Sequence, residues 1–235
     1  MRLSERLETI LSQCGTGEVI ADIGCDHGFA SIELVARGQY RRAIAMDVRK
    51  GPLSAAQEHI RERGLADRIE TRLSDGLDEL APGEADAILI AGMGGALMSG
   101  ILFRHPEIAK SASRLVLSPQ SEIGDFRRKL ILGGFSIRGE ELLREDGKTY
   151  VVITAVPGQE EPWEDWEYRY GRDLVRRGHP LLEEQLLWEL HRDDALIEAL
   201  AQQEGGRGKA RREELAAERE TAARVLSLLR ERSPL

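Results

Sequence analysis

The sequence predicts an α/β protein with an open, mainly parallel sheet, followed by a helical arm. Short apolar runs at 19–23 and 85–90 alternate with segments of helical spacing, which is the pattern of parallel strands buried on both faces. The last two runs meet at Glu145-Asp146-Gly147, a signal for an antiparallel hairpin. Because the composition changes after Pro157-Gly158, we expect two domains, residues 1–158 and 159–235.

The elements before residue 75 follow from apolar spacing and from glycine breaks. Leu3, Leu7 and Ile10 recur at helical spacing and predict a short first helix. Gly38 and Gly64 each stand where a helix can end. The predicted order is a helix over 3–11, a strand over 19–23, a helix over 29–38, a strand whose end is 44–47, a helix over 51–63 and a strand over 69–73.

The remaining strands complete the predicted sheet. The run at 85–90 is almost continuously apolar, as a central parallel strand should be, and a cluster of glycines then turns the chain into a helix. The predicted order continues with a helix over 96–103, a strand over 114–117, a helix over 126–132, and hairpin strands over 134–143 and 148–156.

The turn after the first strand indicates which kind of ligand the sheet binds. A dinucleotide-binding loop has a glycine where this chain has Asp26, and Asp22 lies two residues before Gly24. Two carboxylates would repel a phosphate, whereas S-adenosyl-L-methionine carries an ammonium, a sulfonium and a ribose but no phosphate. Asp47 ends the second strand at the spacing of an acid that accepts the ribose hydroxyls. The residues therefore favour S-adenosyl-L-methionine over a nicotinamide cofactor.

Further turns are expected at the same edge of the sheet. Asp75, followed by Gly76, is placed to accept from an adenine amino group, although Asp-Gly after a strand is equally ordinary turn chemistry. The segment Ala91-Gly92-Met93 allows a close approach of backbone to ligand. Ser118-Pro119-Gln120 follows the fifth strand and brings polar side chains to this edge.

Composition limits the compartment and the chemistry. No apolar run approaches the roughly 18 residues of a membrane span, and the charged N-terminus does not resemble a signal peptide, so we expect a cytoplasmic protein without a membrane partner. Cys14 and Cys25 are too few for a disulfide framework, and no cluster has metal-ligand spacing. Cys25 could serve as a nucleophile, but a small buried loop residue is the simpler interpretation because its acidic neighbours disfavour a thiolate.

The net charge of −8 argues against a nucleic-acid partner unless binding depends on local basic patches. The first predicted helix brings Arg2 and Arg6 near the strand ends, where they could meet a substrate. Each such patch can also be an ordinary solvated surface.

Five motifs stand in order along the chain. They are Ala21-Asp22-Ile23-Gly24 with Asp26-His27, Gly51-Pro52, Ala91-Gly92-Met93-Gly94-Gly95, the Pro119 turn and Glu145-Asp146-Gly147-Lys148. Taken together, they resemble the bacterial tRNA adenine-N1-methyltransferase family that modifies adenine 22, a family with the seven-stranded class I methyltransferase fold. The resemblance covers residues 1 to about 158, and it implies an enzyme that makes N1-methyladenine in tRNA. The family usually has Ser at Cys25, Tyr at Phe29 and Gln-Pro-Asn at Ser118-Pro119-Gln120.

The resemblance assigns expected roles to individual residues. Asp26 is expected to stabilise the cationic product, Gln120 to accept from the exocyclic amine, and His27 to hydrogen-bond the base or a phosphate, unless it is a surface residue. The target base must leave its stack before its N1 edge can react. The expected cofactor residues are Asp22, Gly24, Asp47, Asp75, Gly76, Ala91, Gly92 and Met93; the expected tRNA contacts are Arg2, Arg6, Pro119, Arg207, Lys209 and Arg211; no metal is expected.

The C-terminal segment predicts an antiparallel, coiled-coil-like helical hairpin. Helices over 180–204 and 209–232 flank a predicted turn at 205–208, and leucines at spacings of three and four form a narrow seam that Asp193 interrupts. The hairpin is either an arm that cradles tRNA, with basic residues at its tip, or a packing or dimerisation hairpin. We expect a monomer or a weak dimer.

Three functions remain in competition on these observations. A tRNA adenine-N1-methyltransferase accounts for the ordered motifs and the arm. A methyltransferase acting on a small molecule would explain the acidity better. A nicotinamide oxidoreductase fits the glycine loop but not Asp22 and Asp26.

Overall fold

The computed structural model describes residues 3–201 and 206–232. The chain divides into two compact units, Met1–Trp163 and Glu164–Leu235. None of the described helices is both long enough and apolar enough to cross a bilayer.

A seven-stranded sheet forms the centre of the first unit. The strands are β1 (Gly17–Ile23), β2 (Tyr40–Asp47), β3 (Ile69–Leu73), β4 (Ala87–Ala91), β5 (Arg114–Ser118), β6 (Phe135–Glu145) and β7 (Lys148–Pro157). Their order in the sheet is β3-β2-β1-β4-β5-β7-β6. Strands β1 to β5 pair in parallel, β7 runs antiparallel to β5, and β6 runs antiparallel to β7. The predicted seven-stranded sheet with its terminal hairpin is confirmed.

Helices connect the strands and cover the sheet. They are α1 (Glu5–Gln13), α2 (Phe29–Ala36), α3 (Lys50–Glu62), α4 (Gly95–Arg104), α5 (Pro106–Ser111) and α6 (Ile123–Leu132). The central strand β4 is buried along Ile88, Leu89 and Ile90, as its continuous apolar run predicts. The short helix α5 was not predicted, because its six residues are too few to show a period.

The sheet register brings the carboxyl ends of the central strands to one edge. Ile23, the last residue of β1, lies beside Met46 of β2 and Ile90 of β4. Ala91 of β4 lies beside Ser118 of β5. The turns that leave these strands therefore meet at one place, where ligands bind in open α/β sheets.

The second unit is helical throughout its described elements. It contains α7 (Asp165–Tyr170), α8 (Arg172–Arg176), α9 (Pro180–Ala201) and α10 (Gly206–Arg232), and α9 packs on α10. The predicted turn at 205–208 is wrong from Gly206 onward, because α10 already begins there. Glycine is compatible with the start of a helix as well as with a turn, so the sequence does not separate the two.

The seam between α9 and α10 is more polar than predicted. Leu182 and Leu186 are buried on α9, but the next buried positions are Glu189 and Asp193. Glu189 accepts a hydrogen bond from the Tyr170 hydroxyl at 2.9 Å, and Asp193 pairs with Arg192 at 2.6 Å. Each buried carboxylate thus has a polar partner, although Oδ2 of Asp193 has none of its own. On α9 the heptad-like apolar pattern therefore ends after two turns.

Candidate functional site

A cavity of about 660 Å³ opens at the carboxyl ends of β1, β2 and β4. It lies within the first unit. Its lining comprises Ser4, Arg6, Leu7, Ile10, Asp22, Ile23, Gly24, Cys25, Asp26, His27, Phe29, Ala30, Asp47, Val48, Arg49, Ser74, Asp75, Gly76, Leu89, Ala91, Gly92, Met93, Leu97, Ile101, Gln120 and Glu145.

The turn after β1 is fixed to the end of β2. The backbone N–H groups of Gly24 and Cys25 donate to the Met46 carbonyl at 2.8 and 2.9 Å. Gly24 has φ of 74°, a conformation that favours glycine, and a Cβ there would lie 2.2 Å from the Met93 methyl group. The absence of a side chain at Gly24 therefore lets the turns after β1 and β4 approach each other.

Two buried aspartates lie beneath this turn, and each has fixed partners. The Ser31 hydroxyl donates to Asp22 Oδ2 at 2.7 Å. Asp47 accepts from the backbone N–H of Arg49 at 2.8 Å and of Asp26 at 3.3 Å. Both carboxylates are oriented before any ligand binds, and both line the cavity.

Burial dominates the ionisation of Asp22. It raises the pKa of Asp22 from 3.8 to about 6, with a smaller contribution from the Asp47 charge, and the Ser31 hydrogen bond opposes this rise. Ionised Asp22 therefore costs folding free energy at neutral pH. A cationic ligand group beside it would offset that cost.

We expect Asp22→Asn to raise the melting temperature at pH 7.5 but to change it little near pH 4. The folded-state pKa of Asp22 lies above the unfolded value, so the native state binds more protons between pH 4 and 6, and wild-type stability falls as pH rises through that window. The asparagine oxygen can still accept from Ser31. The gain at pH 7.5 should be about 1–3 kcal/mol. Thermal unfolding followed by circular dichroism from pH 4 to 8 measures it, and parallel pH profiles for the two proteins would contradict it.

Cys25 is a buried structural residue in this arrangement. Burial raises the pKa of its thiol far above the ordinary range, and the charges of Asp22, Asp47 and Asp26 raise it further. A thiolate is therefore suppressed, and the geometry favours the small buried residue over the nucleophile.

Asp26 lies at the mouth of the cavity with an exposed side chain. Its φ of 49° is a left-handed conformation that aspartate tolerates better than most residues. Its carboxylate lies 3.7 Å from His27 Nε2 and 3.9 Å from an Arg49 guanidinium nitrogen. The His27 ring lies 5.8 Å from the Phe29 ring, so an aromatic edge borders the same part of the mouth.

Asp75 and Gly76 lie where the chain leaves β3. The Asp75 carboxylate pairs with Arg104 at 3.0 Å. Two apolar side chains of the lining remain largely exposed, Val48 at 60% and Leu97 at 54%. Exposed apolar groups beside a carboxylate suit a planar heterocycle with an amino group.

The turns after β4 and β5 are joined by backbone hydrogen bonds. The Gly92 N–H donates to the Ser118 carbonyl at 3.4 Å, and the Gln120 N–H donates to the Met93 carbonyl at 2.9 Å. A Cβ at Gly95 would lie 2.7 Å from the Ser121 carbonyl oxygen. The glycine cluster therefore permits two turns to pack against each other, which places Gln120 beside Gly92.

The start of α1 and the end of β6 close the other side of the cavity. The Arg6 N–H donates to Glu145 Oε1 at 3.1 Å. The Arg6 guanidinium stacks on the Tyr150 ring, 4.6 Å from its centroid, and its buried Nε has no hydrogen-bond partner. The head of Arg6 thus lies at the cavity rather than on the open surface.

The cavity brings together every residue that the sequence predicts for catalysis and for the cofactor, and Arg6 with them. Pro119 is buried and outside the lining, so it shapes the turn and does not face the cavity. Lys209 is exposed on α10, and Arg211 pairs with Glu214 at 2.8 Å on the same helix. Arg2 and the side chain of Arg207 lie outside the described residues.

Among the lining residues that sequence reasoning did not assign to the site are Val48, Arg49 and Glu145. Val48 and Arg49 follow Asp47 directly, and their position after a strand was a usable signal. Glu145 was interpreted as part of a hairpin turn, and no local pattern shows that the hairpin end reaches the cavity. In the described part of the chain, no group of three or more His, Cys, Asp or Glu residues could hold a metal ion.

The chain is similar to known methyltransferases in both sequence and structure. The family described as "Methyltransferase domain" matches residues 3–153. A tRNA (adenine(22)-N(1))-methyltransferase of Bacillus subtilis is 37% identical over 161 residues, which are 68% of each chain.

Solved structures match over nearly the whole length. The B. subtilis m1A22 tRNA methyltransferase TrmK superposes with a TM-score of 0.83 at 31% identity, covering 96% of this chain and 99% of that one. Streptococcus pneumoniae Sp1610, solved with S-adenosyl-L-methionine, superposes with a TM-score of 0.84 at 30% identity, covering 96% and 100%.

Proposed function

This chain belongs to the tRNA (adenine(22)-N(1))-methyltransferase family, and we propose that it transfers a methyl group from S-adenosyl-L-methionine to N1 of adenine 22 in tRNA. The observation that carries the proposal is the acidic cavity at the ends of β1, β2 and β4. Its size and lining suit a nucleoside cofactor without phosphates, together with a flat acceptor base. A tRNA substrate also implies that the enzyme acts in the cytoplasm.

The residues of the cavity fit S-adenosyl-L-methionine. Asp47 is oriented for the ribose hydroxyls, and Gly24 and Gly92 line the cavity without side chains, which leaves room for the amino-acid portion. Asp75, Gly76, Val48 and Leu97 suit the adenine ring. When bound, the cofactor supplies an electrophilic methyl group on a sulfonium. Asp22 and Asp26 would repel the pyrophosphate of a nicotinamide cofactor, which disfavours the oxidoreductase.

The chemistry demands orientation more than acid–base catalysis. Adenine N1 has an in-plane lone pair and is neutral at pH 7, so no base is needed to generate the nucleophile. Holding N1 in line with the methyl group can supply roughly 7–11 kcal/mol. We propose that Asp26 stabilises the positive charge that develops on the base, that Gln120 accepts from its amino group, and that His27 borders the bound nucleotide.

The tRNA contacts outside the cavity remain proposals. Lys209 is exposed and available for phosphate, whereas Arg211 must exchange its pairing with Glu214 and Glu218 to reach one. Because the chain carries a net charge of −8, we propose that tRNA binds through few cationic residues and that the enzyme is a monomer or weak dimer.

We expect radiolabelled methyl from S-adenosyl-L-methionine to appear as N1-methyladenine in unmodified bacterial tRNA. Asp26→Ala should lower the rate roughly 10- to 100-fold, because it removes a charge that stabilises the transition state. Nucleoside analysis of the labelled tRNA identifies the product.

The matched control is Asp125→Ala, which removes an exposed aspartate of α6 outside the cavity and should leave the rate unchanged. An Asp26→Ala rate equal to wild type would remove Asp26 from catalysis without affecting the family assignment. Wild-type protein that binds S-adenosyl-L-methionine but labels no tRNA would favour a small-molecule acceptor instead.

A further inference from the structure

The cavity has a cofactor side and an acceptor side. Its four aspartates, Asp22, Asp26, Asp47 and Asp75, belong to the segments that leave or end β1, β2 and β3. The other polar lining residues include Arg6, Gln120 and Glu145, which come from α1, the turn after β5 and the end of β6. With the cofactor held by the first set, the acceptor base must face the second.

Glu145 is the one carboxylate on the acceptor side among the described residues that line the cavity. Each of the four aspartates on the other side already has a hydrogen-bonding or ionic partner. Within residues 3–201 and 206–232, Glu145 forms no ion pair, and its Oε1 accepts the Arg6 backbone N–H. One carboxylate oxygen is therefore committed to the fold, and the other is available to a ligand.

The surroundings hold this carboxylate in place. The hydrogen bond from Arg6 N ties Glu145 to the first turn of α1, and the stacking of the Arg6 guanidinium on Tyr150 ties the same turn to β7. Two independent contacts thus fix the end of the hairpin against α1. A positioned acceptor of this kind is what recognition of a base edge requires.

We propose that Glu145 accepts a hydrogen bond from one N–H of the N6 amino group of the target adenine, whose second N–H is left to Gln120, and that Glu145 thereby both selects adenine and promotes methyl transfer. The proposal rests on the function proposed above and adds a substrate-contacting residue to it. Guanine presents an oxygen acceptor at the same position, which a carboxylate repels.

The expected contribution to rate follows from the electron flow. The N1 lone pair forms the bond to the methyl carbon, the carbon–sulfur bond breaks, and its electron pair stays on sulfur, which becomes neutral. The positive charge moves to the base, where it is shared between N1 and the N6 amino group, and no proton moves in this step. The N6–H therefore becomes a stronger donor in the transition state, and its hydrogen bond to Glu145 strengthens there.

The test compares Glu145→Gln with Asp146→Asn, a matched loss of one carboxylate at the next residue, which is exposed and outside the cavity. The glutamine oxygen can keep the Arg6 contact, so melting temperature should not change. We expect Glu145→Gln to slow single-turnover methylation roughly 10- to 100-fold, with dissociation constants for tRNA and S-adenosyl-L-methionine within about twofold of wild type. Asp146→Asn should match wild type.

A second comparison uses tRNA that carries purine, which lacks the amino group, in place of the target adenine. On this tRNA, wild type and Glu145→Gln should react at rates within about twofold of each other, because the hydrogen bond from the amino group to Glu145 is already absent. The proposal would be overturned if Glu145→Gln slowed methylation of the purine tRNA as much as that of the adenine tRNA. It would also be overturned if Asp146→Asn slowed methylation as much as Glu145→Gln does. Failure of wild-type enzyme to methylate the adenine tRNA would instead overturn the proposed function.

Discussion

Asp47→Ala is expected to weaken binding of S-adenosyl-L-methionine about 100-fold, or about 2.7 kcal/mol. The buried carboxylate accepts the backbone N–H groups of Arg49 and Asp26 and is oriented toward the cavity. Its removal takes away the proposed ribose acceptor and leaves two N–H groups without their partner, which loosens the turns after β1 and β2. Isothermal titration calorimetry measures the loss.

Asp86→Ala provides the control for this substitution. Asp86 also accepts two backbone N–H groups, those of Glu18 and Val19 at 2.8 Å each, but near the start of β1. Its loss should lower the melting temperature while cofactor affinity stays within about twofold of wild type. Similar losses of affinity in both variants would show that general loosening of the sheet, rather than the carboxylate at β2, explains the result for Asp47.

Arg127→Ala is expected to cost about 3–5 kcal/mol of the free energy of unfolding. Arg127 of α6 and Glu140 of β6 are both buried, and Nε of the first lies 2.6 Å from Oε1 of the second. Truncating the arginine takes this partner away from a fully buried carboxylate. Urea denaturation followed by circular dichroism gives the change.

A double variant tests the physical reason for that cost. Arg127→Met combined with Glu140→Leu removes both charges at similar volume, and we expect it to recover most of the stability. Neither residue lines the cavity, so the double variant should methylate tRNA at the wild-type rate. A double variant as unstable as Arg127→Ala would show that shape rather than charge dominates at this position.

Most of the first unit could be predicted because its signals are local. The continuous apolar run that becomes β4 and the glycines that follow β1 and β4 are visible in short windows of sequence. Only the end of β2, at 44–47, could be predicted and not its start, since exposed Arg41 and Arg42 interrupt the apolar pattern at its first residues. A strand that is half solvated at one end carries no clear period there.

The candidate site was predictable on its cofactor side and less so on its acceptor side. Asp22 and Asp47 stand at fixed distances from strand ends, so topology alone brings them together. Glu145 reaches the cavity through the position of a hairpin and through a contact with Arg6, residues 139 positions apart in the chain. Glu145 belongs to one of the motifs that resemble the family, but nothing near it in the sequence shows that its side chain reaches the cavity.

The position of β7 between β5 and β6 also constrains how the enzyme can be made. The ribosome releases β6 before its hydrogen-bonding neighbour exists, because β7, the last strand in the chain, is an interior strand of the sheet. Until Pro157 has emerged, β5 lacks its outer hydrogen-bonding partner and β6 has no strand beside it, so the hairpin end that carries Glu145 is not yet held in the sheet. A nascent chain should therefore gain its acceptor side in one late step, after the cofactor side has formed.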